Sequence, residues 1–76
     1  LLTEIDRTLY LKLRTWWLRK EPADTPVKVS RRTLLSPAQA RASLKRLTDV
    51  GAVFAKADGR HVPNFFFRSQ RWDGAA

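Results

Sequence analysis

A small α+β domain, helices followed by a C-terminal β-hairpin, is the fold class that this sequence predicts, and three stretches predict it. Residues 4–20 carry apolar side chains at helical spacing, Ser36 to Gly51 reads as a capped basic helix, and two β-forming runs flank Asp58-Gly59. Seventy-six residues make a single domain, residues 1–76. A chain this short buries only about 60% of its unfolded surface, so a partner copy or larger assembly would add useful burial.

The first helix is expected over residues 4–20. Thr3 is suited to cap it, and Glu4 and Asp6 favour its first turn. Ile5, Leu9, Leu13 and Trp16 form its core stripe, widened by Tyr10 and Trp17. Leu11 and Leu18 lie off that stripe and, with Trp17 at the edge, are the candidate self-association contacts. Residues 21–26 read as a boundary loop, because Pro22 and Pro26 restrict the backbone and Asp24 and Thr25 are turn formers. Residues 27–35 are expected to hold a very short strand at Val27-Lys28-Val29 and then a helical turn capped by Ser30.

Over residues 36–51 the signals are denser. Ser36 is a good N-cap, Pro37 fits the first helical position, Gln39 can close a capping box and Gly51 can end the helix. Ala40, Leu44 and Leu47, with Ser43 and Val50 beside them, define its core side, and Arg41, Ala42, Lys45 and Asp49 face away. Residues 52–68 are expected to form two antiparallel strands, Ala52 to Lys56 and His61 to Arg68, joined by a tight turn at Asp58-Gly59. Pro63, which has no amide proton, belongs at an edge, and Phe65 and Phe67 share a face opposite Phe66. Residues 69–76 form a polar tail in which Trp72 is a candidate for base stacking or protein contact.

The formal net charge is +8, and its distribution is uneven. Residues 1–26 are nearly balanced, whereas residues 27–72 hold ten basic side chains against Asp49 and Asp58 alone. Such an excess attracts a phosphate backbone. Cysteine is absent, which removes disulfides, thiolate metal sites and a cysteine nucleophile, and fits a reducing compartment. His61 is the single histidine, the carboxylates are scattered, and no glycine-rich phosphate loop is present, so neither an enzyme nor a cofactor or metal site is expected. The apolar runs fall far short of the ~18 residues a membrane span needs, and the N-terminus lacks a secretory pattern. A cytoplasmic or nucleoid-associated location is expected, and the absence of an initiator methionine ahead of Leu1 reads as a trimmed or fragmentary chain.

Small side chains at Ala38 and Ala42 let a helix backbone approach a groove, while Arg41, Lys45 and Arg46 reach phosphates or base edges around it. Lys56, Arg60 and His61 sit at the hairpin tip, where a nucleic-acid backbone would meet them. Lys28, Arg31, Arg32, Arg68 and Arg71 are candidate additional phosphate contacts.

The run Ser36-Pro37-Ala38-Gln39-Ala40-Arg41-Ala42-Ser43-Leu44-Lys45-Arg46-Leu47-Thr48-Asp49-Val50-Gly51-Ala52-Val53, followed by the hairpin, resembles the winged-helix family of helix-turn-helix domains. The resemblance covers roughly residues 27–68, with residues 4–20 supplying a first helix. It implies that residues 36–51 are a recognition helix, with Ser36, Ala38, Gln39, Arg41, Ala42, Lys45 and Arg46 bordering a nucleic-acid groove, and that Lys56, Arg60 and His61 belong to the wing. It also implies a small regulator of transcription or plasmid replication that binds double-stranded DNA, in many such families as a dimer. A structural RNA-binding subunit of a ribosome or other ribonucleoprotein is the main alternative, and a protein-only assembly module is the third.

Overall fold

A computed structural model describes residues 2–68. Three helices, α1 (Glu4–Leu18), α2 (Pro26–Arg32) and α3 (Pro37–Asp49), precede an antiparallel hairpin of β1 (Val53–Ala55) and β2 (His61–Pro63). Three helices followed by a two-stranded hairpin are the general shape of a winged helix.

Helix α1 begins where Thr3 predicts, and the cap is reciprocal: the Asp6 amide donates to Thr3 Oγ1 at 3.2 Å and the Thr3 amide to Asp6 Oδ2 at 3.0 Å. It ends two residues earlier than the expected Lys20. The Lys20 amide donates to the Trp17 carbonyl and the Glu21 amide to the Trp16 carbonyl, a Schellman closure that puts Lys20 at φ 60°. Helix α3 closes identically, through Gly51 to Thr48 and Ala52 to Leu47, with Gly51 at φ 84°. Glycine takes that conformation without the steric cost that a lysine Cβ meets.

The buried side of α1 is rotated from the expected stripe. Leu2, Asp6, Leu9, Tyr10 and Leu13 are buried, while Ile5 is 53% exposed. Hydrophobicity alone assigns an acid to solvent, but here Asp6 is drawn inward by partners on α3, and Tyr10 turns in because its hydroxyl donates to the Asn64 carbonyl at 2.6 Å.

Residues 27–29 are helix rather than strand. Thr25 caps α2 by accepting from the Lys28 amide, and Pro26 occupies the first turn. An apolar-basic-apolar triplet fits one helical turn as well as a strand, and the Thr-Pro start decides for the helix. Ser30 therefore lies inside α2 and does not cap it; its hydroxyl donates to the Leu35 carbonyl at 2.9 Å and fastens the α2–α3 turn.

Val29, Leu9, Leu13, Ala40, Leu44, Leu47, Ala52 and Val53 meet in one core. In the hairpin, Val53 pairs with Pro63, Phe54 with Val62 and Ala55 with His61. The loop is longer than a two-residue turn: Gly59, at φ 88°, returns its amide to the Lys56 carbonyl at 3.0 Å. Strand pairing stops at Pro63 instead of running to Arg68. Asn64 takes over, its side-chain amide donating to the Gly51 carbonyl and its side-chain oxygen accepting from the Phe66 amide. Phe67 folds back onto Tyr10 edge-on at 5.5 Å and Phe66 is exposed, but residues 65 and 66 form a turn, so the strand alternation expected of Phe65, Phe66 and Phe67 is not what places them.

Leu9→Ala is expected to cost about 3 kcal/mol and Ile5→Ala about 0.5 kcal/mol or less in urea denaturation, the reverse of equal membership in one stripe. Lys20→Gly is expected to stabilise by about 0.5–1 kcal/mol in the same measurement by relieving the left-handed residue.

Candidate nucleic-acid interface

The N-terminus of α3 is built as the sequence indicates. The Gln39 amide donates to Ser36 Oγ at 3.1 Å and the Ser36 amide to Gln39 Oε1 at 2.9 Å. The Ser36 hydroxyl and the Gln39 carbonyl oxygen are thus committed to the cap, and the exposed Gln39 keeps its NH2 group as a donor. Beyond the cap, Ala40, Ser43, Leu44 and Leu47 are buried, which leaves Ala38, Arg41, Ala42 and Lys45 exposed together on the opposite face. Lys45 Nζ lies 3.0 Å from Asp49 Oδ2 in an exposed pair one helical turn apart. Such a pair is weak, so a phosphate can compete for the ammonium.

Arg46 stands apart from this face. Its Nε and Nη2 donate to the two Asp6 oxygens at 2.8 and 2.9 Å, and the Ser43 hydroxyl donates to Asp6 Oδ1 at 2.6 Å. With the Thr3 amide, the Asp6 carboxylate accepts four hydrogen bonds and is fully buried. Burial pushes its pKa up, but the hydrogen bonds from Arg46, Ser43 and Thr3 and the charge of Arg46 outweigh that and hold it below 3.8. The same partnership raises the pKa of Arg46. Arg46 is therefore a strut between α1 and α3 rather than a cation free to reach a groove.

A second buried carboxylate fixes the hairpin. Asp24 Oδ2 accepts from Arg60 Nε at 2.7 Å, and Lys28 Nζ lies 3.6 Å from Asp24 Oδ1. The Asp24 carbonyl accepts from the His61 amide at 2.7 Å, with His61 Nδ1 3.2 Å away. Burial raises the Asp24 pKa, and the Arg60 hydrogen bond and charge, a backbone hydrogen bond and Lys28 bring it below 3.8; Arg60 is raised in turn. Arg60, His61 and Lys28 thus hold the hairpin and α2 to the loop before α2, and Lys56 is the cation left projecting at the tip.

The remaining candidates are dispersed. Arg31 is exposed, while Arg32 donates to the Glu21 carbonyl and lies over the Trp16 ring at 5.3 Å. Arg68 is exposed, and Arg71 and Trp72 lie outside the described residues. Leu11 and Leu18 are exposed as their off-stripe positions predict, and Trp17 is half-buried. Sequence reading missed Asp6 and Asp24 as anchors. For Asp6 a signal existed: Leu2, Asp6, Leu9 and Leu13 follow four-three-four spacing, which places an acid within an apolar stripe.

Among the described residues no group of histidine and carboxylate side chains could hold a metal ion, and no helix is long and apolar enough to cross a membrane. No protein-family model matches the chain, and no curated protein or solved structure does.

Because Asp6 and Asp24 titrate below 3.8 in the fold, their contribution to stability is complete above that pH and is lost as pH falls through the lower folded values. The melting temperature is expected to hold between about pH 7 and 5 and to fall steeply below about pH 4, with a smaller fall in Asp6→Asn. Arg46→Ala, which leaves a buried carboxylate without its cation, is expected to cost about 3 kcal/mol in denaturant titration. Arg41→Ala is expected to stay within about 0.5 kcal/mol.

Proposed function

We propose that this chain is a non-enzymatic, double-stranded DNA-binding module of winged-helix type, with α3 as the recognition helix and the hairpin tip against the sugar-phosphate backbone. The observation that carries the reading is the outward face of α3, where Ala38 and Ala42 keep the profile low while Arg41 and Lys45 flank them. A major groove about 12 Å wide admits a helix whose leading face is small, and arginine can pair with two acceptors on guanine. The strut from Arg46 to Asp6 supports the reading further, because it holds that face outward without drawing on Arg41 or Lys45.

In this arrangement Arg41 reads base edges, Lys45 and Lys56 neutralise phosphates, and Arg60 sets the angle of the hairpin through Asp24. Arg68 is exposed, and Arg31 lines the groove between α1 and the α2–α3 corner; this reading draws on neither. A small regulator of transcription or plasmid replication, acting in the cytoplasm or at the nucleoid, is the role that suits such a module. Recognition of paired half-sites would call for a dimer.

The test is binding of random duplex DNA, structured RNA and single-stranded DNA over a salt series. Duplex binding that weakens steeply with salt is expected; preference for structured RNA would move the protein to the ribonucleoprotein class, and indifference to all three would reject nucleic-acid binding. Lys45→Ala and Lys56→Ala are each expected to lower the slope of log affinity against log salt by about 1 on any duplex. Arg41→Ala is expected to cost about 1–3 kcal/mol on a selected site and less on random DNA, measured by fluorescence anisotropy at fixed salt. Arg60→Ala is expected to reduce affinity and melting temperature together, whereas Lys56→Ala reduces affinity alone.

A further inference from the structure

Away from the outward face of α3, the first two turns of α1 and the α2–α3 corner enclose a groove of about 550 Å³. Its lining is largely apolar and includes Ile5, Leu9, Leu34 and Leu35. Two of these are costly to leave in water: Ile5 is 53% exposed, and Leu34, at 104%, is as exposed as in an extended peptide. Lys12, Arg31 and Arg32 line the groove against one acid, Glu4. A shallower depression continues along α1 past Thr8 and Lys12, which both hollows share, to Leu11 and Trp16. From Ile5 to Trp16 the helix rises about 16 Å, the length of three turns of a docked helix.

Shape and charge together select the occupant. A second copy of the chain seated on this groove in two-fold contact would set one basic rim of Lys12, Arg31 and Arg32 close to another, with a single acid, Glu4, on each side to offset them. A duplex offers phosphates to the cations and nothing apolar to Leu34. A flat bilayer does not fill a concavity between two elements. We propose that this groove docks an acidic amphipathic helix of another protein, its apolar face on Ile5 and Leu34 and its carboxylates beside Lys12, Arg31 and Arg32.

The experiment titrates the isotope-labelled 76-residue chain, followed by amide chemical shifts, with a synthetic amphipathic helix of about 14 residues bearing leucines on one face and glutamates on the other. The same peptide with lysine in place of glutamate is the charge control. Binding of the glutamate peptide with a dissociation constant on the order of 10–100 μM is expected, with the largest shifts at Ile5, Thr8 and Leu34. Leu34→Ser and Arg31→Glu, both at exposed positions, are expected to weaken it about tenfold with the melting temperature unchanged. No binding, equal binding of the lysine peptide, or indifference to Leu34→Ser would overturn the proposal. So would a Leu34-dependent response to duplex DNA or anionic vesicles in place of the peptide, or a dimer in sedimentation that Leu34→Ser dissolves. Loss of DNA binding in Arg41→Ala with peptide binding intact separates this groove from the α3 face.

Discussion

The carboxylate of Asp6 is the constraint on which the rest of the domain depends. It is fully buried, so its charge has to be met inside the protein, and α3 meets it through Arg46 and Ser43. Because those partners lie one helical turn or less apart, the contact sets both the rotation and the depth of α3 against α1. Once that rotation is set, Leu44 and Leu47 enter the core, and Ala38, Arg41, Ala42 and Lys45 have only the outside to occupy. The polar contact therefore specifies orientation, whereas the apolar contacts, being non-directional, supply most of the driving force.

Asp24 performs the same service for the hairpin. A two-stranded hairpin is marginal by itself, and this one is held at three points: Arg60 and His61 on the Asp24 segment, Asn64 on Gly51 and Ala52, and Tyr10 on the Asn64 carbonyl. Phe67 then covers Tyr10, and Arg14 lies over the Tyr10 and Phe65 rings at 5.7 and 5.4 Å. The hairpin is thereby fastened to α1 and to the loop before α2 as well as to the end of α3.

A net charge of +8 overstates what a polyanion would meet. Lys28, Lys45, Arg46 and Arg60 each lie in an ion pair with an aspartate. Three of these pairs use a buried acid, and in two of them, those of Arg46 and Arg60, the guanidinium lies within 2.8 Å of it and resists exchange; the pair of Lys45 with Asp49 is exposed and can open. Basic side chains in this small fold thus fall into those that assemble it and those that project from it, and their position relative to Asp6 and Asp24 makes the division.

Helix α3 was legible because its signals are local: Ser36, Pro37, Gln39 and Gly51 act on backbone groups within a few residues, and a 3.6-residue period marks its core side without knowledge of a partner. The hairpin turn at Gly59 and the start of α1 at Thr3 were legible for the same reason. Residues 27–29 misled because three alternating residues fit a helical turn as well as a strand, and Ile5 misled because periodicity defines a stripe only to within about one position. The roles of Asp6, Asp24, Arg46 and Arg60 were settled only by tertiary structure, since their partners lie 36 to 40 residues away in the chain. Composition and spacing determine how many charges exist and which local elements form; which charges are buried depends on long-range pairing, because an ionised group enters a core only where another element brings its counter-charge.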